Sequence, residues 1–529
     1  MKNVYAILIL LMMFIYLPVD AQVRTVTGKV TSNIGQEPVK EASVSLKGTD
    51  VAVKTDENGM YSIQVSATSS DVLVFTHPDH DKIEIGLNNR SVMDIMMIYN
   101  VRYNQYGVRV NRNPLFSEER NGILVFESYK NDYRFWFDFR VQADGAWFFG
   151  DVMNPIGNGY SIRRARLAGK VEVGKHWYGE LDLDFSNSEL ELNDAYLEYT
   201  FNKGVSLRVG NFKEYYSMER TTTSRYVTFI ERPNAVNAFA PSRHIGVGAS
   251  YNYKWLLMQG GVFFQTIGDV EERIFSEDNN KDYGMDEGYS LTGRLVLMGF
   301  HDDLNKRLHL GISGSYRTPK TDAEVRQTLR YSTRSLTSIN RKKYMDTDLM
   351  GGIDHATLGG LEVAAFYKGF RIQGEYLMSG VHDTLGGVKT TNNFDGFYVF
   401  GSCLLFGGKY NYNNEDGEFT QVSRGKKWGD IELALRYDYL SLNGGMDKIM
   451  GGAGEGYTFG LNYHITNNVK IMFNYAYLNH DRYANGKGKL YVGYDADGNL
   501  TKDPKQVVDE AGKAGEDYHM VSVRFEIDF

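Results

Sequence analysis

The final residues, HMVSVRFEIDF, alternate in character: Val521, Val523, Phe525, Ile527 and Phe529 are apolar, and Ser522, Arg524, Glu526 and Asp528 lie between them. A two-residue period predicts a strand with one apolar face. From Tyr133 onward this period recurs in segments of about ten residues, the length that crosses a bilayer at a tilt. In RFWFDFRVQA, Phe135, Phe137, Phe139 and Val141 point one way, and Trp136, Asp138, Arg140 and Gln142 point the other. In DIELALRYDYL the same split separates Ile431, Leu433, Leu435, Tyr437 and Tyr439 from Glu432, Ala434, Arg436 and Asp438. Sixteen such segments are found; the others begin near residues 160, 177, 192, 204, 244, 255, 289, 307, 357, 370, 394, 456, 468 and 519.

The connections keep phase with the strands. Tight turns fall at 174–177, 202–204, Lys254, 301–306, 368–369 and 466–468. Long connections at 212–243, 266–288, 318–356, 380–393, 441–455 and 479–517 take the alternate places. Short turns on one side and long loops on the other are the pattern of an outer-membrane barrel. Segment 406–429 departs from it, being long where a turn is expected. A soluble all-β array would show the same alternation; the even strand count, the loop phase and an export signal favour the membrane. Aromatics near strand ends (Trp177, Tyr199, Tyr253, Trp255, Tyr439, Tyr477) suit the two lipid boundaries. The last strand is then required to pair with the first, because an open edge is not tolerated in hydrocarbon. A ring of this size keeps an aqueous lumen.

The export signal is residues 1–21: Lys2, an apolar run from Val4 to Leu17, and Val19-Asp20-Ala21 as the cleavage site. No other stretch is long and apolar enough to be a membrane helix. Cys403 is the single cysteine, which excludes a disulfide framework, and no cysteine follows the cleavage site to carry lipid. A net charge of −8 gives no reason to expect nucleic acid.

Residues 22–99 read as a small β-sandwich of short strands, with the turn TDENG closing one hairpin on Gly59. Gly28-x-Val30, EASVSLKGT (Glu41 to Thr49) and TDENGMYSI (Thr55 to Ile63) resemble the carboxypeptidase regulatory-like domain. That resemblance implies a non-catalytic appendage at the periplasmic end of an outer-membrane protein, of the kind seen in Bacteroidetes. HPDHD (His77 to Asp81) offers metal-binding side chains, but no further ligand cluster is assignable from sequence, so a solvated loop is expected and no metal. Residues 100–132 are read as a linker and 133–529 as the barrel.

Inward positions carry both signs, such as Arg164, Arg166, Lys170 and Arg208 against Asp138, Glu180, Asp182 and Glu198. Selectivity therefore rests with whatever narrows the lumen. The long segment 212–243 is the candidate to fold inward. Lys213, Arg220, Arg225, Arg232 and Arg243 against Glu214, Glu219 and Glu231 give it a net charge of +2. Guanidinium forks and ammonium groups attract phosphate-like oxygens. Charge by itself leaves two readings open: free cations that select anions, or cations tied up in ion pairs.

IRRARLAGKVE (Ile162 to Glu172), LNDAYLEYTF (Leu192 to Phe201), LRVGNFKEYYSMERTTTSRYVTFIER (Leu207 to Arg232) and SRHIGVGASY (Ser242 to Tyr251) resemble the phosphate-selective porin O and P family. The resemblance implies a homotrimer of sixteen-stranded antiparallel barrels in which arginines guide anions to a lysine. Arg163 and Arg164 match the eyelet arginines and Lys213 the lysine; Arg220, Arg225, Arg232 and Arg243 lie in the region of the arginine-bearing loop. The many inward acids depart from an anion-optimised lumen.

The implied function is passive diffusion of inorganic phosphate or other small anions across the bacterial outer membrane. Its partners would be lipid, sister subunits and a periplasmic protein docked on residues 22–99, with no cofactor. An alternative is a barrel that chiefly anchors its sandwich module. A plugged 22-stranded transporter needs more chain than this. No G-x-S-x-G elbow occurs, and His382-Asp383 and His480-Asp481 are lone dipeptides, so catalysis is not expected.

Overall fold

A computed structural model describes residues 23–66, 71–110, 115–120, 122–186, 190–201, 204–264, 266, 288–319, 327–383, 389–444 and 449–529. The export signal and most of segment 266–288 lie outside the described residues. The chain divides into two units, one before residue 115 and the other Leu115–Phe529.

The first unit holds β1 (Val23–Ser32), β2 (Ser43–Leu46), β3 (Ala52–Lys54), β4 (Met60–Ser66), β5 (Val72–His77), β6 (His80–Gly86) and β7 (Ile95–Met97). They form two sheets, ordered β4-β1-β7 and β3-β2-β5-β6. Alternate residues of β1 and β4 (Val26, Val30, Ile63, Val65) meet Val44, Leu73 and Phe75 in one apolar core. The turn before β4 works through Asp56, whose Oδ1 accepts from the N–H groups of Asn58 (2.9 Å) and Met60 (2.7 Å). Gly59 takes φ 75° there, a conformation open to glycine.

In HPDHD, the Asp79 N–H donates to His77 Nδ1 (3.1 Å), which leaves His80 Nδ1 as donor across a 3.0 Å contact to the same nitrogen. His80 Nε2 lies 3.2 Å from Ser32 Oγ. A ribbon of β8 (Arg102–Tyr103) and β9 (Arg109–Val110) follows, tied back by the Arg109–Asp79 ion pair at 2.7 Å.

The second unit begins with the hairpin β10 (Leu115–Arg120) and β11 (Ile123–Ser128). The barrel then starts with β12 (Tyr133–Phe149), β13 (Gly159–Val173), β14 (Trp177–Asp184), β15 (Glu191–Thr200) and β16 (Val205–Lys213). It continues through β17 (Arg243–Tyr253), β18 (Leu256–Phe263), β19 (Ser290–Gly299), β20 (Lys306–Arg317) and β21 (Ile353–Tyr367). Next come β22 (Phe370–Asp383) and β23 (Thr390–Leu404), then a small hairpin of β24 (Tyr412–Asn413) and β25 (Glu418–Phe419) inside a connection. β26 (Asp430–Asn443), β27 (Met450–His464) and β28 (Val469–His480) complete the wall up to the final strand. After a loop bearing β29 (Gly493–Tyr494) and β30 (Leu500–Thr501), β31 (Asp517–Asp528) closes the ring.

Every barrel neighbour is antiparallel and sequential, and β12 pairs with β31 from Arg140↔Asp528 to Phe149↔His519. These are the sixteen strands that the alternation predicts. Closure is completed at the tight-turn end. There β11 pairs with β12 (Val125↔Trp136 to Glu127↔Arg134), covering the length that β31 does not reach. Phe529 exchanges both main-chain hydrogen bonds with Phe139 (3.1 and 2.9 Å), and their rings stack with centroids 6.1 Å apart.

Outward side chains are apolar around the ring, including Phe137, Leu181, Leu197, Ile312, Leu361, Ile372, Leu435 and Phe525, all exposed. Trp177, Tyr253, Trp255, Tyr367 and Phe370 lie at the tight-turn ends, and Tyr437, Tyr457 and Tyr477 form a chain of rings just to the long-loop side of mid-strand. That is an apolar band between two aromatic belts.

Leu435 is mid-strand and 66% exposed. Leu435→Arg should lower barrel stability in lipid vesicles by about 3 kcal/mol, read from urea unfolding. In the first unit, burial and then the neighbouring His77 hold the His80 imidazole below its usual range, against the pull of Asp79 and Asp81. The unfolded chain therefore binds more protons, and stability should fall as pH drops below about 6.5. The urea midpoint of this unit should be lower at pH 5.5 than at 7.5, with His80→Gln removing most of the difference.

Candidate functional site

The connection after β16 folds into the barrel. Ser217 caps the short helix Met218–Thr221 by accepting from the Arg220 N–H at 3.2 Å. Pro233 opens a second helix, Asn234–Phe239, whose Ala235, Val236 and Phe239 are buried. Ala235 sits over Gly396 on the wall: a Cβ there would lie 2.8 Å from that of Ala235. Inward side chains across the lumen hold the rest. Glu375 accepts from the Glu219 N–H (2.7 Å), and Asn474 from the Ile230 N–H (2.9 Å). Asn462 donates to the Thr228 carbonyl (2.8 Å), Lys470 to that of Arg225 (2.9 Å) and Arg436 to that of Glu231 (2.9 Å).

This segment and a mouth loop fill one side of the lumen. Tyr331, Leu336, Tyr344 and Met345 pack with Phe239, Phe394 and Tyr518 in one apolar cluster. The opposite side stays open as a cavity of about 790 Å³, lined by β12 to β17 and the inward segment. Arg163, Arg164, Lys213, Arg220, Arg225, Arg232 and Arg243 all line it. Arg163 and Arg164 are consecutive, yet both reach the lumen. Gln142 pairs with Arg164 and Ala143 with Ile162, so Arg163 is the extra residue of a bulge, a device that re-aims a side chain.

The cations of this cavity fall into two groups. Arg163 pairs with Glu231 (2.7 Å), Arg225 with Asp138 (2.7 Å) and Arg243 with Asp194 through both oxygens (2.9 and 2.6 Å). Arg166, Lys170 and Arg208 likewise face Asp184, Asp138 and Glu198. Among the described residues, the second group donates only to neutral acceptors. Arg164 Nη1 donates to Gln142 (2.7 Å), Lys213 Nζ to the Thr221 carbonyl (2.7 Å) and Arg220 Nη2 to that of Val236 (2.8 Å). Arg232 donates to the carbonyls of Glu219 (2.8 Å) and Thr222 (2.6 Å), and Arg140 to Ser224 Oγ (2.7 Å). Arg140 Nε, Arg164 Nε and Arg220 Nε are buried with no acceptor among the described residues.

Glu180, Asp182 and Asp194 bring oxygens within 4.8 Å of one another. Lys170, Arg166 and Arg243 already lie against them, so bound cationic side chains balance this group.

The connection 405–429 also turns inward, from the tight-turn side. Arg294, locked on Glu362 at 2.8 Å, donates to the carbonyls of Asp416 (3.1 Å) and Gly417 (3.0 Å), and Arg371 stacks 3.6 Å from the Phe419 ring centroid. This places Glu415, Asp416 and Glu418 on the wall of the same cavity. Sequence reasoning put Arg140 inward without assigning it to the site, and assigned nothing to this loop. Its anomalous length was the available signal.

The profile of phosphate-selective porin O and P matches residues 135–498. An uncharacterized protein of Caulobacter vibrioides is 28% identical over 347 residues, spanning 63% of this chain and 65% of that one. Porin O of Pseudomonas aeruginosa is 25% identical over 416 residues, or 72% of this chain and 90% of its own. Among solved structures, the trimer form of OmpT from Vibrio cholerae aligns with TM-score 0.45 at 11% identity, over 75% of this chain and 99% of that one. An anion-selective porin from Comamonas acidovorans aligns with TM-score 0.43 at 12% identity, over 75% and 100%. The family match runs from the first barrel strand into the last long loop, and on that extent the chain belongs to the phosphate-selective porin O and P family of outer-membrane β-barrels.

Proposed function

We propose that this barrel is a passive, anion-preferring pore of the phosphate or polyphosphate type, narrowed where residues 214–242 cross the lumen. One observation carries the reading: Arg140, Arg164, Lys213, Arg220 and Arg232 line one cavity without a carboxylate partner among the described residues. The segment's own glutamates are engaged elsewhere. Glu214 accepts from Arg317 (2.8 Å) and Thr292 (2.6 Å) with the His244 ring 2.8 Å away, Glu219 accepts from Gln373 (2.9 Å), and Glu231 from Arg163. Five cations therefore remain to be satisfied by water or a passing anion. At an effective dielectric of about 20, one such charge about 6 Å from a monoanion contributes roughly 3 kcal/mol. Arg163, Arg225 and Arg243 shape the passage through their ion pairs, while Arg164, Lys213, Arg220 and Arg232 meet the solute.

The barrel lies in the outer membrane with its tight turns on the periplasmic side, and β12 enters from that side. Residues 22–99 would then stand in the periplasm, as a regulatory-like module available to a protein partner. We take the assembly to be a homotrimer, as the family resemblance implies. The separate folding unit before residue 115 favours the anchoring role as a second reading.

In planar bilayers under a salt gradient, the wild-type chain should show an anion-selective reversal potential. Lys213→Glu combined with Arg164→Glu should reduce the chloride-to-potassium permeability ratio roughly tenfold, more at low ionic strength. Unchanged selectivity in that variant would remove the anion reading. Deleting residues 23–98 should leave single-channel conductance intact. Loss of small-anion uptake in cells despite a conducting barrel would instead support the anchoring role.

A further inference from the structure

We infer that the pore is matched to small zwitterions, solutes carrying a phosphate or carboxylate at one end and an ammonium at the other. This rests on the anion-preferring reading of the cationic wall and adds to it an acidic counterpart supplied by the periplasmic connection 405–429.

The first observation is where that connection goes. The other connections on its side are tight turns, and this one enters the lumen instead. Its position is held from several directions: Arg294 grips the carbonyls of Asp416 and Gly417, Asn252 Nδ2 donates to the Asn414 carbonyl (2.5 Å), and the Tyr412 hydroxyl meets His309 Nδ1 at 2.6 Å. Gly417 adopts φ 66° at the tip. The acids at this tip are therefore carried on a braced support.

The second observation is that these acids are unspent. Among the described residues, Glu415, Asp416 and Glu418 form no ion pair, although Lys213 and Arg232 line the same cavity. The Asp416 carboxylate accepts a single side-chain bond, from Asn413 Nδ2 at 2.6 Å. Glu415 and Asp416 are exposed to the lumen.

The third observation is independent of the loop. Among the described residues, Asp182, 7% exposed on the cavity wall, keeps Oδ1 without a donor, while Arg140 (6%) and Arg164 (7%) keep Nε without an acceptor. Orphaned donors and an orphaned acceptor thus line one cavity. Buried polar atoms of either kind are costly when unpaired. An anion alone satisfies only the donors, and it must also pass the acidic tip of connection 405–429. A solute with an ammonium as well satisfies both sets and turns that repulsion into attraction. The cavity, at about 790 Å³, has room for such a molecule together with water.

O-Phosphoethanolamine and ethyl phosphate are similar in size and share a phosphate monoester; only the first carries an ammonium. Each would be added to the full chain in planar bilayers and its half-blocking concentration for chloride current measured. In the wild type, phosphoethanolamine should block at a roughly fivefold lower concentration. Glu415→Gln with Asp416→Asn and Glu418→Gln should reverse the order, with ethyl phosphate gaining. Asp416→Asn alone, at an exposed position, should narrow the difference and serves if the triple variant does not assemble. Equal block by the two solutes in the wild type, or a ratio unmoved by either variant, overturns the inference even where the salt gradient still reports anion preference. Loss of anion preference with the phosphoethanolamine advantage retained leaves the acidic side supported and faults the cationic reading alone.

Discussion

Everything in the second unit follows from one constraint: main-chain N–H and C=O groups facing hydrocarbon must find partners within the protein. An antiparallel ring meets it only if no strand is left with a free edge. The pairing of β12 with β31 closes that ring, and β11 takes over where β31 ends. The terminal Phe529 belongs to the same closure, bonded in both directions to Phe139. Once the ring closes, the outward residues face lipid and the inward residues face whatever fills the centre. The period of two in each strand is then a division between two solvents.

The interior answers to different physics. A lumen lined by both signs of charge is tolerable because most charges meet a partner: Arg294 with Glu362, Arg524 with Asp144, Arg243 with Asp194. Breaking any of these by removing one partner would leave a buried charge uncompensated. Two inward connections complete the arrangement. Segment 214–242 brings side chains to the open half of the lumen and bonds its main chain to the far wall. Connection 405–429 does the same from the other end, and its acids give the cavity an opposite face. The open path thus lies where the ring is lined by β12 to β17, and the remaining strands support it.

Chemical character in the proposed path is set by which cations lack a carboxylate. Arg163 and Arg164 differ by one position, yet Glu231 engages the first and a neutral glutamine the second. Arg225 and Arg243, both in the basic segment, are neutralised by strand acids, while Lys213, Arg220 and Arg232 are held by main-chain carbonyls. A carbonyl fixes a cation's position and leaves most of its charge uncompensated. In the proposed pore, that state leaves the cation available to a transient anion.

The sequence by itself determined the strand count, the face that side chains take in the regular strands, the side on which tight turns fall and most of the inward-facing charges. Each of these depends on contacts between residues a few positions apart, or on a spacing that survives being read one residue at a time. The pairing of cations with carboxylates was left to the tertiary structure, as were the bulge that brings Arg163 and Arg164 into one lumen and the entry of connection 405–429. Those depend on groups tens to hundreds of positions apart: Asp138 with Arg225, Arg140 with Ser224, Arg294 with the carbonyl of Asp416. Local periodicity states what a side chain faces, lipid or lumen. Only the closed ring decides which distant charge stands opposite it, because Coulomb energy follows distance in space and is blind to separation along the chain.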